Sequence, residues 1–196
     1  MTYKHRVEWP GFYHVTTRGN NKRTIFLTDR DRLVFISLLN RIATKHGWTI
    51  YAFCLMDNHY HLVMQIGEEG MSKGLCELNG TYAILFNINH QRVNHLFGRR
   101  YWSDELETER RLFTAIRYVV RNPVRAGIVA TPDEYVWSSY QATLGLALGR
   151  VRVAVDELLG LFAPDRARAV KRFEEMCAGP ELPRHVLRRR VQRQPP

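Results

Sequence analysis

Apolar and polar positions change period along the chain, and each change marks an element. Residues 12–18 (Phe-Tyr-His-Val-Thr-Thr-Arg) are rich in aromatic and β-branched side chains and read as a strand, closed by the turn formers Gly19, Asn20 and Asn21. With Asp29 or Asp31 as its cap, a helix follows in which Leu33, Phe35, Ile36, Leu38, Leu39, Ile42 and Ala43 recur at helical spacing until Gly47. Residues 48–56 and 60–66 are two further strands, and Asp57-Asn58 between them either makes a tight turn or interrupts one long strand. Residues 71–91 are helical, with Leu75, Leu78, Tyr82, Leu85, Phe86 and Ile88 inward and Gly80 as a weak point. Further helices are predicted over 109–122 and 164–177, with a short helical segment over 132–140. Strand, helix, two strands, helix, strand, helix predicts an α+β fold, an antiparallel sheet with helices packed on one side.

Composition narrows the class. The 196 residues are 45% hydrophobic and 24% charged, as in a soluble globular protein with one sizeable core. No apolar run reaches membrane-span length, and the first residues lack the apolar stretch of a signal peptide. Cys54, Cys76 and Cys177 are far apart and match neither a disulfide framework nor a zinc pattern, so the expected location is the cytoplasm.

Charge changes the picture more. Lys and Arg number 29 against 19 Asp and Glu, a formal net +10. Residues 164–196 hold nine of these cations against four acids, half the total excess. A polyanionic partner, nucleic acid before phospholipid, accounts for this through phosphate neutralisation; the alternative is charge that serves solubility. Residues 93–103 set Arg99 and Arg100 among Phe97, Tyr101 and Trp102. That mixture suits single-stranded DNA, whose bases stack on aromatics, and equally a loop running into a half-buried edge strand.

The candidate chemistry begins at His59-Tyr60-His61. Alternation on a strand sends both imidazoles to one face, either as half of a metal site or as ordinary polar residues on an exposed face. A helical wheel of 111–122 gathers Leu112, Phe113, Ile116, Val119 and Val120 into one stripe. Tyr118 falls nearly opposite it, beside Thr114, Arg121, Asn122 and Arg125, where it is either a plain surface aromatic or a nucleophile. Asn122, four residues on, shares its face and offers an oxygen for a hard cation, although Pro123 disfavours helical geometry there.

Three blocks in this order carry a resemblance: residues 14–20 (His-Val-Thr-Thr-Arg-Gly-Asn), 56–63 (Met-Asp-Asn-His-Tyr-His-Leu-Val) and 118–127 (Tyr-Val-Val-Arg-Asn-Pro-Val-Arg-Ala-Gly). They resemble the signature blocks of the IS200-like single-tyrosine transposases, closest to the REP-associated branch. Residues 95–101 and 134–140 are similar to lesser blocks of that branch. The resemblance implies a palm-like, ferredoxin-like HUH endonuclease fold over residues 1–145; beyond it the sequence pattern predicts a helical extension over 146–182 and a basic tail over 183–196. It implies a DNA nickase and strand transferase, with Tyr118 as the nucleophile, a 5′-phosphotyrosine intermediate, and Mg²⁺ or Mn²⁺ on His59, His61 and Asn122. Glutamine stands near the last position in the better-studied relatives, and asparagine is shorter.

Single-stranded DNA with a hairpin is the implied ligand. Arg18, Asn20, Lys22, Arg23, Arg99, Arg100, Arg121 and Arg125 are the candidate DNA contacts near the cut, and Arg184, Arg188, Arg189 and Arg190 those to a hairpin stem. The expected setting is a bacterial cytoplasm at the nucleoid. The extended tail favours a monomer, with a dimer as the other assembly. Two rival readings are a DNA-binding module with a vestigial site and a zinc hydrolase; the second lacks a general-base Glu near the histidines.

Overall fold

The structure is a computed structural model that describes residues 8–98 and 100–179. Strands β1 (Gly11–Arg18), β2 (Thr49–Met56), β3 (His59–Ile66) and β4 (Trp102–Glu105) form a four-stranded antiparallel sheet in the order β2-β3-β1-β4. Asp57-Asn58 is the tight turn. Its carbonyls are both occupied: Ile25 N and Phe26 N donate to Asp57 O at 2.7 and 3.1 Å, and Gly19 N donates to Asn58 O at 2.9 Å. The hairpin tip is thereby tied to the loop that follows β1. Gly19 is required there, because a Cβ on it would lie 2.1 Å from the carbonyl oxygen of Arg23.

Register decides which residues share a face. Arg18 lies opposite His59, Thr16 opposite His61, and His14 opposite Val63, so these six stand on one face of the two inner strands. Val15, Thr17, Tyr60, Leu62 and Met64 stand on the other. Helices α1 (Asp29–Lys45) and α2 (Ser72–Asn89) cover that second face. Phe35 of α1 meets the Tyr60 ring at 4.7 Å and the Tyr82 ring of α2 at 5.2 Å between centroids. The cap of α1 is Thr28, not Asp29 or Asp31. Asp31 is the other half of a capping box, accepting from Thr28 N at 2.8 Å while its own N–H donates to Thr28 Oγ1 at 3.3 Å.

Helices lie on both faces of the sheet rather than on one. Helix α3 (Glu109–Val120) packs on β2 and β3 from the histidine side, burying Leu112, Ala115, Ile116, Val119 and Val120. It ends at Val120, and the chain resumes a short helix α4 (Asn122–Arg125) after a break at Arg121, with Pro123 in its first turn. The predicted helical segment over 132–140 is helical only at its ends, a 3-10 turn over Pro132–Glu134 and a helix that begins at Tyr140. Residues 135–139 between them form a turn with a single bridge from Ser138 to Cys54. Trp137 O accepts from Leu55 N at 2.9 Å and Ser139 N donates to Phe53 O at 3.0 Å, so this segment satisfies the outer edge of β2. Helix α5 (Tyr140–Leu144) follows, then α6 (Val155–Gly160), which the sequence pattern does not reveal, and α7 (Arg166–Ala178). Phe113 of α3 stacks on Phe162 at 4.5 Å, and Phe162 meets Phe173 of α7 at 5.8 Å, so the C-terminal helices share the core beside α3. Among the described residues no helix is long and apolar enough to cross a membrane.

Candidate active site

The sheet supplies two of the site residues through simple alternation. His59 and His61, both buried, project from β3 to the α3 side with ring centroids 4.9 Å apart. Tyr118 of α3 comes down onto them. Its ring lies 5.5 Å from that of His61 and 5.7 Å from that of His14. The wheel places Tyr118 opposite the apolar stripe, but the buried arc is wider than the stripe. Ala115 and Asn122 extend it toward Tyr118, which therefore borders the buried face and is half-buried. Asn122 is delivered by the break at Arg121: its Nδ2 donates to His61 Nε2 at 3.2 Å.

Hydrogen bonds fix both imidazoles from behind. His59 Nδ1 donates to Asn58 Oδ1 at 2.6 Å, and the Asn58 amide is itself oriented because its Nδ2 donates to Lys22 O at 3.1 Å. His61 Nδ1 meets His14 Nε2 at 3.0 Å across the β1–β3 pairing. Burial holds the three rings neutral. It pushes His14 down to about 4 and His59 down to about 4, the latter helped by the charge of Arg18. His61 lies well below its ordinary value, through burial first and then His14, His59, Arg18 and Arg125.

Cationic groups surround the site. Arg18 is exposed and faces the same side as His59, and the Arg125 guanidinium lies over the Tyr118 ring, 4.7 Å from its centroid. Trp102 of β4 stands opposite Thr16 on the same face, 41% exposed and edge-on to His14 at 5.4 Å. It is the aromatic of residues 93–103 that stays open at the site. Tyr101 is buried, and Phe97 packs against Tyr60 and Tyr82.

The other sequence candidates scatter. Asn20 is half-buried, its N–H donating to Leu96 O at 2.8 Å, and Lys22, Arg23 and Arg100 are exposed beyond the end of β1. Arg121 points away from the histidines, its Nη1 donating to Cys177 O at 2.6 Å at the end of α7. Arg99, Arg184, Arg188, Arg189 and Arg190, with the 183–196 tail, lie outside the described residues. Sequence reasoning missed His14 and Trp102 as site residues. His14 shares the period of Thr16 and Arg18 on β1, but only the pairing register shows that it reaches His61.

The donor set fits a loosely held divalent cation better than a closed structural zinc. Among the described residues no three His, Cys, Asp or Glu side chains are arranged to hold a metal. What converges is two neutral imidazoles and one amide, Asn122, whose oxygen is the atom able to bind a cation. None of the three is acidic.

Comparison with known proteins gives a consistent picture. Residues 9–122 match the family model described as transposase IS200 like. A protein of Haemophilus influenzae described as a REP-associated tyrosine transposase is 24% identical over 135 residues, covering 60% of this chain and 77% of the relative. Among solved structures, that of a REP-associated tyrosine transposase bound to a REP hairpin superposes with a TM-score of 0.63 at 17% identity, covering 85% of this chain and 93% of the other.

Proposed function

The chain belongs to the IS200-like transposase family, and from that membership we propose that it is a single-tyrosine enzyme that cuts and rejoins single-stranded DNA beside a hairpin. One observation carries the reading: the Tyr118 ring stands over His61 and beside His14, on the same face as His59, with Asn122 at hydrogen-bond distance from His61. In the proposed step the Tyr118 phenolic oxygen attacks the scissile phosphorus, forming a P–O bond and losing its proton to solvent. The bond from phosphorus to the 3′-oxygen breaks, and that oxygen leaves as a 3′-hydroxyl after taking up a proton. The product is a 5′-phosphotyrosine whose ester keeps the energy of the broken bond, so a 3′-hydroxyl can reverse the step and join strands.

Each neighbour has a part. Arg18 and Arg125 hold positive charge where the phosphate must sit, and Arg125 also fixes the Tyr118 ring from above. His59, His61 and Asn122 are the proposed ligands of Mg²⁺ or Mn²⁺, and burial supports that role by keeping the imidazoles unprotonated at neutral pH. When bound, the cation neutralises charge that develops on the phosphate oxygens. Trp102 offers a flat surface for a base next to the cut. The REP hairpin held by the structural relative, together with the basic excess of this chain, supports a hairpin with a single-stranded foot as ligand. The proposed location is the bacterial nucleoid, and the proposed assembly is a monomer, because Tyr118 reaches the histidines of its own chain.

The test is a hairpin oligonucleotide with a labelled single-stranded foot, incubated with the protein and Mn²⁺ or Mg²⁺ and run on a denaturing gel. A protein–DNA adduct is expected from the natural chain and none from Tyr118→Phe, which should bind the hairpin within about threefold. An adduct that survives in Tyr118→Phe would remove the proposed nucleophile.

A further inference from the structure

Three buried side-chain nitrogens lack a hydrogen-bond partner among the described residues: Arg32 Nε, Arg121 Nε and His14 Nδ1. The two arginines spend their other nitrogens on structural bonds, Arg32 on Asp57 at 2.5 Å and Arg121 on Cys177 O. His14 is different, because its single bond goes to a residue of the proposed cation site. A native fold seldom leaves a buried polar atom unpartnered without a reason elsewhere.

That reason lies in the tautomers of the histidine pair. A neutral imidazole carries one N–H and one lone pair. Asn58 turns its oxygen toward His59 Nδ1, an orientation set independently by its amide bond to Lys22 O. Asn58 therefore accepts from a proton on His59 Nδ1, and the Nε2 of that ring meets Asn122, which also hydrogen-bonds it. The same logic runs through His61. Asn122 Nδ2 donates to His61 Nε2, so that nitrogen is an acceptor, the proton sits on Nδ1, and Nδ1–H donates to His14 Nε2. His14 then keeps its own proton on Nδ1, the nitrogen that faces no partner.

We propose that His14 and Asn58 are positioning residues that hold His61 and His59 in the Nδ1–H tautomer, so that both Nε2 lone pairs stand ready for a divalent cation. The unpartnered Nδ1 of His14 is the local cost of this arrangement. His14 suits the task because, on β1, it opposes Val63 and so reaches His61 diagonally across the strand pair from a rigid backbone. A shorter amide at position 14 has less reach, and an apolar residue offers no acceptor. The inference rests on the proposed cation site, but it makes a statement about the metal-free protein that can be measured without metal or DNA.

Long-range ¹H–¹⁵N correlation spectra of the full metal-free chain at pH 7, assigned with H59N and H61N, read the tautomers directly. Both rings are expected as Nδ1–H. An Nε2–H form at His61 in the natural chain overturns the proposal. A second arm uses variants: H14L removes the acceptor and H14Q restores one. Mn²⁺ affinity, followed by the electron paramagnetic resonance of the free ion, should fall about 10- to 100-fold in H14L and stay within about threefold in H14Q. Equal Mn²⁺ affinity in H14L and the natural chain also overturns it. Should H14L fail to fold, the spectrum of the natural chain decides alone. A natural chain that shows Nδ1–H at both rings yet binds no Mn²⁺ defeats the metal reading while leaving the tautomer assignment standing.

Discussion

The two faces of β3 follow the same alternation and carry opposite chemistry. On one, Tyr60, Leu62 and Met64 are wholly buried under α1 and α2, and the polar atom there is fully used. The Tyr60 hydroxyl accepts from Thr17 Oγ1 and donates to Asn79 Oδ1, each at 2.9 Å. On the other, His59 and His61 are nearly as buried, yet their Nε2 atoms point toward Asn122 and Tyr118 rather than into a saturated network. One nitrogen of the supporting His14 has no hydrogen-bond partner among the described residues. The first face stabilises the fold. The second holds neutral bases and unsatisfied donors in place at a cost in stability, as sites that do chemistry commonly do.

That contrast can be broken by substitution. Tyr60→Ala should destabilise the protein by on the order of 4 kcal/mol, since it opens a large cavity beneath Phe35. His59→Ala, one residue away, should lower cleavage at least about a hundredfold while costing much less stability. Urea unfolding of the two variants beside a cleavage assay measures both effects. Equal destabilisation by the two changes would erase the distinction between the faces.

Acid should expose the same asymmetry. His14 and His59 are pushed down to about 4 and His61 lower still, whereas an unfolded chain titrates its histidines near 6.5. Below that value the unfolded state binds more protons, so stability contributed by these neutral rings is complete above pH 6.5 and is lost as pH falls toward 4. Each ring adds a slope of up to about 1.4 kcal/mol per pH unit. Urea midpoints of the metal-free protein at pH 7, 6 and 5 should decline in that order, and less steeply in His61→Asn. A flat profile would mean the rings are not held neutral.

Smaller effects concern DNA. Trp102→Ala should weaken binding to a hairpin with a single-stranded foot by about tenfold and leave binding to a blunt duplex unchanged, as anisotropy titrations can read. Equal losses on both ligands would place Trp102 outside base stacking. Deletion of residues 183–196 should flatten the salt dependence of hairpin binding, by about 0.9 in log–log slope for every duplex phosphate that the tail neutralises. An unchanged slope would show that the tail neutralises none.

Much of this was legible from local pattern, and the rest depended on distant partners. Period-two alternation alone puts His59 and His61 on one face, and the helical wheel separates Tyr118 from Ile116 and Val119. Local pattern does not reveal that Ala115 and Asn122 widen the buried arc, because that depends on where the sheet lies. His14 was invisible as a site residue for the same reason: its role comes from pairing across 47 residues of chain. Arg121 shares the wheel sector of Tyr118, yet its guanidinium is taken up by a carbonyl 56 residues later. Residues 132–140 had turn and helix chemistry locally, and hydrogen bonds to the open edge of β2 interrupt the helix there, leaving 135–139 as a turn between two helical ends.

The central claim is that Tyr118 becomes covalently joined to a 5′-phosphate. Trypsin cleaves after Arg117 and Arg121, so digestion of the adduct followed by mass spectrometry should place the nucleotide on the peptide Tyr118-Val119-Val120-Arg121. Recovery of that peptide carrying the 5′-nucleotide is the expected result. A nucleotide found on another tyrosine, or on none while cleavage proceeds, contradicts the account.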